Sequence, residues 1–302
     1  MSARNAPTVQ TAGLGKRYGP VWALQDCSVS LPRGHISALV GPNGAGKTTL
    51  LKILAGLSAP SAGEALVLGR VPGQSGEFLD SIGYLSQDVP LYKRLSADDH
   101  LELGAHLNRH WDAGAARARL AALRIPADRP VATLSGGQRA QVGLSLALAK
   151  RPQVLLLDEP VAALDPLARR EFLASLTEAA ADDDLSVIVS SHLLHDLERV
   201  CDHLILLAAS RTQLCGGIDD LLAEHRMLVG PRRNTADAGR GLTVIKATQT
   251  TRQTRLLVRL DGPVADPSWA VTEVGLEDIV LAYMGEGSTP TAAPLTAIGP
   301  AR

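Results

Sequence analysis

The sequence has little of what several classes of protein require. Its 302 residues include only three cysteines, Cys27, Cys201 and Cys215, an odd and widely spaced set that does not read as a disulfide framework and fits a reducing cytoplasm. Aromatic residues make up 3% of the chain, too few for a surface on which nucleic-acid bases stack. No apolar run approaches the roughly 20 residues of a membrane-spanning helix, and the opening MSARNAPTVQ is not expected to act as a secretory signal.

A net charge is also lacking. The 30 Lys and Arg residues balance 31 Asp and Glu residues, giving a formal net charge of −1. This balance argues against a protein that holds nucleic acid mainly by bulk charge, so we predict no nucleic-acid partner. The 45% of hydrophobic residues is enough for a buried core, and the length favours one large domain with a small one.

What is present begins with a glycine-rich loop between a predicted strand (35–40) and a predicted helix (48–57). The loop matches G-x-x-x-x-G-K-[ST], in which backbone N–H groups and the helix N-terminus surround a phosphate. In that pattern Lys47 reaches the β- and γ-phosphates and Thr48 places its hydroxyl on Mg²⁺. The alternative is a glycine-rich turn that binds nothing. The predicted nucleotide contacts here are Gly41, Pro42, Asn43, Gly44, Ala45, Gly46, Lys47, Thr48 and Thr49.

A second segment pairs an apolar strand with two carboxylates. The continuous run VLLL at 154–157 is typical of a strand buried on both faces, and Asp158 and Glu159 follow it. Ligands bind at the carboxyl ends of such parallel strands. Asp158 can hold Mg²⁺, directly or through water, and Glu159 can orient or deprotonate an attacking water. The alternative is a solvated strand end.

A third segment, LSGGQ at 134–138, predicts another anion-binding surface. Ser135 and the glycine N–H groups cap a helix predicted from about 138 to 150, and a helix N-terminus attracts anions. One chain thus carries two phosphate-seeking surfaces.

Taken in order, these segments resemble the motifs of ATP-binding cassette (ABC) ATPases over roughly residues 8–222. GPNGAGKTT resembles the phosphate loop, GYLSQD the Q-loop with Gln87, LSGGQ the signature, and LLLDEP the second nucleotide motif. Asp165 lies in the D-loop, His192 in SSHLLHD resembles the switch histidine, and Tyr18 in KRYG lies where the family stacks a ring on adenine. PVAALDP at 160–166 departs from the Thr-Ser-Gly of many relatives, and we expect the geometry to survive this change.

The resemblance implies a head-to-tail dimer that binds ATP and Mg²⁺, with each ATP between the phosphate loop of one subunit and the signature of the other. The implied catalytic residues are Glu159, His192, Gln87 and Lys47. The implied nucleotide contacts outside the phosphate loop are Tyr18, Ser135, Gly136, Gly137, Gln138 and Asp165. The implied metal contacts are Thr48, Gln87 and Asp158. Because no essential residue is missing, we expect both sites of a homodimer to be active.

Strands alternating with helices predict an α/β fold with a largely parallel sheet. The resemblance makes it a P-loop NTPase of ABC type: a RecA-like core with an antiparallel β subdomain and a helical signature subdomain at about 88–150, all within 1–225. A small C-terminal α+β domain is predicted at 226–285, from the strand-like LTVIKATQ and TRLLVRL and the helical LEDIVLAYM. Residues 286–302 are predicted to be a disordered tail.

The function that the resemblance implies is an ATPase subunit that powers a separate polytopic membrane permease from the cytoplasmic face of a bacterial membrane. Residues 88–95 lie where the family receives a permease helix. The C-terminal segment resembles the branch that exports drugs, antibiotics, lipids or polysaccharides. One alternative is a soluble ABC-type regulatory ATPase that is not coupled to transport. Residues 226–285 could also act as a ligand sensor or stabilise the dimer.

Overall fold

The computed structural model describes residues 6–182, 185–192, 194–232, 242–262, 264 and 266–285. The predicted tail at 286–302 lies outside them. Within the described residues the strands are β1 (Val9–Tyr18), β2 (Val21–Leu31), β3 (Ile36–Val40), β4 (Ala62–Val67), β5 (Ile82–Leu85), β6 (Val154–Leu157), β7 (Ser186–Ser191), β8 (His203–Ala208), β9 (Arg211–Gly217), β10 (His225–Pro231), β11 (Leu242–Gln249), β12 (Gln253–Leu260) and β13 (Ala270–Thr272). The helices are α1 (Lys47–Leu54), α2 (Gly76–Ser81), α3 (Ala97–Leu107), α4 (Ala113–Ala122), α5 (Gly136–Ala149), α6 (Pro166–Asp182), α7 (Leu194–Leu197), α8 (Ile218–Glu224) and α9 (Leu276–Tyr283).

A six-stranded sheet forms the centre, in the order β5-β6-β7-β3-β8-β9. The first five strands are parallel and β9 is antiparallel to β8. Every residue of β3, β6 and β7 is buried, which explains their unbroken apolar or small-residue sequences. The carboxyl ends of these three neighbouring strands therefore meet at one edge of the sheet.

An antiparallel sheet, β2-β1-β4, lies beside this core. Its apolar face packs with α1 and one face of the central sheet in a shared cluster that includes Leu14, Leu24, Leu50 and Leu156. The other face of the central sheet packs on α5 and α6, through residues such as Leu144 and Phe172. The α/β fold, with an antiparallel and a helical part, confirms the predicted fold class.

The helical part comprises α3, α4 and α5, which share a small core around Leu101, Leu120 and Val142. Capping boxes begin two of its helices: Ser96 with Asp99 at α3, and Ser135 with Gln138 at α5. None of the helices among the described residues is long and apolar enough to cross a bilayer.

The C-terminal part is a four-stranded antiparallel sheet, β11-β12-β10-β13, with α9. The strands β10 and β13 were not among those predicted. Leu257, Ile279 and Tyr283 belong to the same buried cluster as Leu221 of α8 and the central sheet, while Trp269 closes a separate small cluster. The division of the chain into domains at about 225 stays a prediction.

Candidate active site at the carboxyl edge of the central sheet

The phosphate loop leaves β3 at Gly41 and enters α1 at Lys47. A side chain at Gly41 would collide with the carbonyl oxygen of Leu207, and one at Gly46, whose φ is +105°, with that of Ala23. Glycine is therefore required at both positions, because the loop is pressed against β8 and β2 and one residue adopts a left-handed backbone. The N-terminus of α1 consequently opens at the sheet edge.

Lys47 lies almost entirely inside the loop that precedes it. Its Nζ donates to the carbonyl oxygens of Gly41 at 2.8 Å and Pro42 at 3.3 Å, and lies 3.2 Å from Glu159 Oε1. The Lys47 side chain is 5% exposed and that of Glu159 is 12% exposed. A buried ammonium held by carbonyl oxygens and one carboxylate can exchange these partners for phosphate oxygens, which are charged and are stronger acceptors than carbonyl oxygens.

Thr48, Asp158 and Ser190 meet at one carboxylate oxygen. Thr48 Oγ1 and Ser190 Oγ each donate to Asp158 Oδ1 at 3.0 Å, and Asp158 is 2% exposed. A hydroxyl and a carboxylate at this spacing suit Mg²⁺, which takes oxygen ligands, often one carboxylate together with substrate phosphates and water. The described residues contain no group of three or more His, Cys, Asp or Glu residues that could hold a metal ion.

Glu159 and His192 form the outer side of the site. His192 Nδ1 lies 3.0 Å from Glu159 Oε2, and the Glu159 backbone N–H donates to Ser190 Oγ at 2.8 Å. Glu159 has a φ of +46°, an unfavourable backbone for a residue with a side chain. Because such strain persists only where the surroundings impose it, the backbone of Glu159 is fixed by its neighbours.

The structure thus brings together five of the predicted residues through direct contacts: Lys47, Thr48, Asp158, Glu159 and His192. The rest of the predicted phosphate loop adjoins this cluster, because Lys47 Nζ donates to the carbonyl oxygens of Gly41 and Pro42. Tyr18, Gln87, the signature and Asp165 lie elsewhere, and no hydrogen bond or ion pair between described residues joins them to the cluster. Tyr18 is half exposed, with Lys16 Nζ 5.2 Å from its ring centroid. Gln87 is exposed and lies two residues after the end of β5.

The signature and D-loop residues serve as helix caps within this chain. Ser135 Oγ accepts from Gln138 N at 3.2 Å, and Gln138 Oε1 accepts from Ser135 N at 3.0 Å. Asp165 Oδ1 accepts from the backbone N–H groups of Leu167 and Ala168, both at 3.0 Å. Gly136 and Gly137 begin α5, and the N-terminus of that helix is exposed.

Sequence reasoning missed two polar residues at this edge. Ser190, one of two serines that end an apolar strand, links Asp158 to the backbone of Glu159. Tyr84 has a buried hydroxyl with no hydrogen-bond partner among the described residues. Burial, together with the charge of Asp158, raises the pKa of Tyr84 to about 12, so the hydroxyl stays protonated. The serine pair was visible in the sequence, whereas Tyr84 gave no signal.

Tyr84 also lines a groove of about 370 Å³. Its lining is mainly apolar and comes from both the central core and the helical part of the chain. Representative lining residues are Leu57, Leu79, Tyr84, Val89, Trp111 and Leu146. Tyr84 therefore contacts this groove and lies in the field of Asp158.

Comparisons with known proteins agree with this geometry. The family model described as ABC transporter matches residues 24–162. The phosphonates import ATP-binding protein PhnC 1 of Natronomonas pharaonis is 42% identical over 215 residues, which cover 68% of this chain and 92% of that protein. The molybdenum import ATP-binding protein ModC of Thiobacillus denitrificans is 34% identical over 265 residues, covering 84% of this chain and 67% of that protein.

Solved structures show the same fold. The cbiO1 protein of Clostridium perfringens, described as part of the ABC transporter complex cbiONQ, is 27% identical with a TM-score of 0.64, covering 72% of this chain and 92% of that chain. The dimeric bacterial ABC transporter cassette MJ0796 is 24% identical with a TM-score of 0.62, covering 69% and 98%. Sequence identity, fold and the site at the sheet edge agree: the chain belongs to the ABC transporter family, as an ATP-binding subunit that binds ATP with Mg²⁺ and hydrolyses it.

Proposed function

We propose that two copies of this chain enclose two ATP molecules, head to tail, and power a separate membrane permease from the cytoplasmic face of the membrane. The observation that supports this most is the contact network of Lys47, Thr48, Asp158, Glu159 and His192 at the sheet edge. It contains a phosphate-binding cation, a magnesium site and a carboxylate base, and it lies beside the open N-terminus of α1.

On the phosphate side, the loop N–H groups and Lys47 bind the β- and γ-phosphates of ATP. When Lys47 binds phosphate it gives up its ion pair with Glu159, and the carboxylate becomes free to accept a proton. Thr48 and Asp158, together with Gln87, would hold Mg²⁺, which when bound would neutralise charge on the phosphates.

On the water side, Glu159 orients the attacking water and accepts its proton. Ser190 fixes the backbone of Glu159, and His192 holds one carboxylate oxygen at 3.0 Å. In this scheme His192 also contacts the γ-phosphate, and Tyr18 stacks on the adenine. The whole arrangement acts by positioning and by charge, as phosphoryl transfer requires.

The second half of each site comes from the partner copy. Ser135, Gly136, Gly137 and Gln138 form the exposed N-terminus of α5, and among the described residues no hydrogen bond joins it to this chain's own phosphate loop. Such a terminus attracts the γ-phosphate of an ATP held by another subunit, with Asp165 at the same interface. The dimeric state of MJ0796, a protein of the same fold, is consistent with this arrangement.

The apolar groove near Tyr84 is the proposed contact for the permease. It lies between the central sheet and the helical part, and residues 88–95 form part of its wall. A cytoplasmic helix of the permease would bury its apolar face there. Residue Tyr84 then joins the permease contact to the magnesium site.

The direction of transport is a separate question. The expectation of export depends on the resemblance of the C-terminal segment alone. The relatives named above are import proteins for phosphonates and molybdenum, and their names give export no support. Vesicles that contain this chain and its co-purified permease would separate the two directions by the side on which the substrate accumulates.

The test of the ATPase proposal is Glu159→Gln. The amide keeps the shape but cannot accept a proton, so the variant should bind MgATP, lose nearly all turnover and accumulate as a dimer in light scattering. Adding Ser135→Arg should abolish that dimer without weakening nucleotide binding. Normal turnover by Glu159→Gln would remove Glu159 as the base, and a dimer that tolerates Ser135→Arg would contradict the head-to-tail arrangement.

The test of the transport proposal uses the same variant as bait. Glu159→Gln with MgATP should retain a polytopic membrane protein from detergent-solubilised membranes, and Val89→Arg in the groove should release it. Retention of only soluble partners, with ATPase activity intact, would instead favour a regulatory ATPase that is not coupled to transport.

A further inference from the structure

Arg169, in the first turns of α6, connects two segments of the active site without touching the site itself. Its Nη1 donates to Asp196 Oδ2 at 2.8 Å, and its Nη2 donates to the carbonyl oxygen of Leu164 at 3.3 Å. Both charged side chains are largely buried, with exposed fractions of 20% for Arg169 and 23% for Asp196. The planar guanidinium thus bridges a carboxylate and a backbone carbonyl at the same time.

The two ends of this bridge lead directly to the catalytic pair. Two successive turns lead from Glu159 to Leu164. In the first, the Ala162 N–H donates to the Glu159 carbonyl oxygen, and in the second the Leu164 N–H donates to the Val161 carbonyl oxygen, both at 3.2 Å. Asp196 lies in α7, which begins two residues after His192. Arg169 therefore joins the backbone segment that follows Glu159 to the one that follows His192.

The same region also supports the signature. A methyl group added at Gly137 would lie 2.8 Å from the Cβ of Ala168, and one at Gly136 would lie 4.0 Å from the Leu164 side chain. The first turn of α6 and the start of α5 are thus packed against each other. A shift of α6 at Arg169 would therefore move the start of α5 as well.

Two features make this connection stronger than an ordinary surface ion pair: it is partly buried, and its donor reaches two acceptors in a fixed plane. One of the segments that it joins begins at a strained residue, Glu159. A residue with φ of +46° needs neighbours that hold it there. The Glu159 and His192 side chains must in turn stay at 3.0 Å for the pair to act together.

We propose that Arg169 and Asp196 are positioning residues for ATP hydrolysis, which hold the segments of Glu159 and His192 in register. Among the described residues, their side chains make no hydrogen bond or ion pair with the five residues of the catalytic cluster, so the proposed effect on turnover passes through the backbone segments that carry Glu159 and His192. This inference rests on the proposed role of Glu159 as the base.

The first measurement is basal ATPase kinetics of Arg169→Ala. A small misplacement of the base costs turnover rather than binding, so kcat should fall about tenfold while KM for ATP changes less than about twofold. Arg170→Ala is the matched control, because Arg170 is adjacent and exposed, and its side chain makes no hydrogen bond or ion pair with any described residue. An unchanged kcat for Arg169→Ala in correctly folded protein would overturn the proposal.

The second measurement asks whether Arg169 acts through the catalytic pair. In a His192→Ala background, Arg169→Ala should lower kcat by less than about twofold, because the geometry that it protects is already lost. If the two effects instead multiply fully, Arg169 acts independently of His192 and the proposal fails.

Two further variants keep the test valid if Arg169→Ala does not fold. Arg169→Lys retains a charge for Asp196 but cannot also hold the Leu164 carbonyl, so it should recover only part of the lost kcat. Combining Arg169→Glu with Asp196→Arg should recover turnover relative to either single change, and failure of both rescues would overturn the proposal. Glu159→Gln, assayed in parallel, distinguishes the proposed base from the proposed positioning residues. Full ATPase activity of Glu159→Gln would contradict the role of Glu159 as the base. An inactive Glu159→Gln together with a fully active Arg169→Ala would contradict only the positioning role of Arg169.

Discussion

The nucleotide edge of the central sheet and the core of the C-terminal sheet both bury polar side chains, in opposite ways. At the nucleotide edge three charged side chains are involved: Lys47 and Asp158 are buried and Glu159 is 12% exposed. In the C-terminal part His225 and Tyr283, 0% and 1% exposed, share a hydrogen bond of 3.0 Å between Nε2 and the hydroxyl. His225 Nδ1 donates its proton to the Leu221 carbonyl at 2.7 Å.

This difference distinguishes the nucleotide edge, which can bind a ligand, from the C-terminal core, which has only a structural role. Charged groups that bond to one another at an open edge can exchange those partners for a ligand. Because these groups are largely buried, each such exchange involves a large change in interaction free energy. The neutral pair of His225 and Tyr283, in which both ring nitrogens of His225 are hydrogen-bonded, offers no charged group to a ligand. It instead ties the start of β10 to the end of α9, and so fastens the C-terminal sheet to α8.

The largest expected effect concerns Lys47. Lys47→Ala removes a charged donor to phosphate, and losing such a bond should weaken MgATP binding by roughly 100-fold or more. Titration of a fluorescent ATP analogue measures this. Lys52→Ala, on the exposed side of the same helix, is the control and should leave affinity unchanged; equal affinities for the two variants would contradict the phosphate-loop assignment.

A smaller effect is expected at Ser190, where sequence reasoning gave no role. Ser190→Ala removes one hydrogen bond to Asp158 and one from the Glu159 backbone, and kcat should fall by about tenfold. Ser186→Ala, at the other end of β7 with its hydroxyl on Thr8 and Gly34, should affect stability but not kcat. A normal kcat in Ser190→Ala would show that Glu159 needs no such support.

The C-terminal pair should behave in the reverse manner. Tyr283→Phe leaves His225 Nε2 buried without a donor, so the free energy of unfolding should fall by about 1–2 kcal/mol in urea titrations. ATP turnover at a temperature where the variant is folded should match the wild type. Impaired turnover there would mean that this joint also serves the nucleotide site, and the contrast between the two regions would be lost.

The smallest effect is a dependence of stability on pH. Burial lowers the pKa of His225, aided by Arg259 and opposed by the Leu221 carbonyl and Glu224. The unfolded chain, with a histidine pKa of about 6.5, then binds protons that the folded chain does not, so stability is complete above that pH and falls below it. Unfolding free energies measured from pH 7.5 to 5 should show this loss.

His225→Gln should reduce the slope of stability against pH. It should not abolish the slope, because burial also lowers the pKa of His203. An unchanged slope in His225→Gln would show that His225 does not carry the effect.

The sequence alone determined the parts that are local. The phosphate loop, the strand before Asp158 and the cap at Ser135 each depend on residues within a few positions of one another, and each is found where the sequence predicted it. β13 escaped prediction because it has only three residues, and β10 because it is stabilised by its pairing with β12 on one side and β13 on the other.

The tertiary structure decided which local pieces meet. Ser190 reaches Asp158 across 32 positions and Arg169 reaches Asp196 across 27, and neither contact leaves a periodic trace in the sequence. His225 and Tyr283, 58 positions apart, become a buried pair only because the C-terminal sheet folds back onto α8. Hydrogen bonds and burial depend on distances in space, and for these residues the parallel order of the strands and the packing of the helices set those distances.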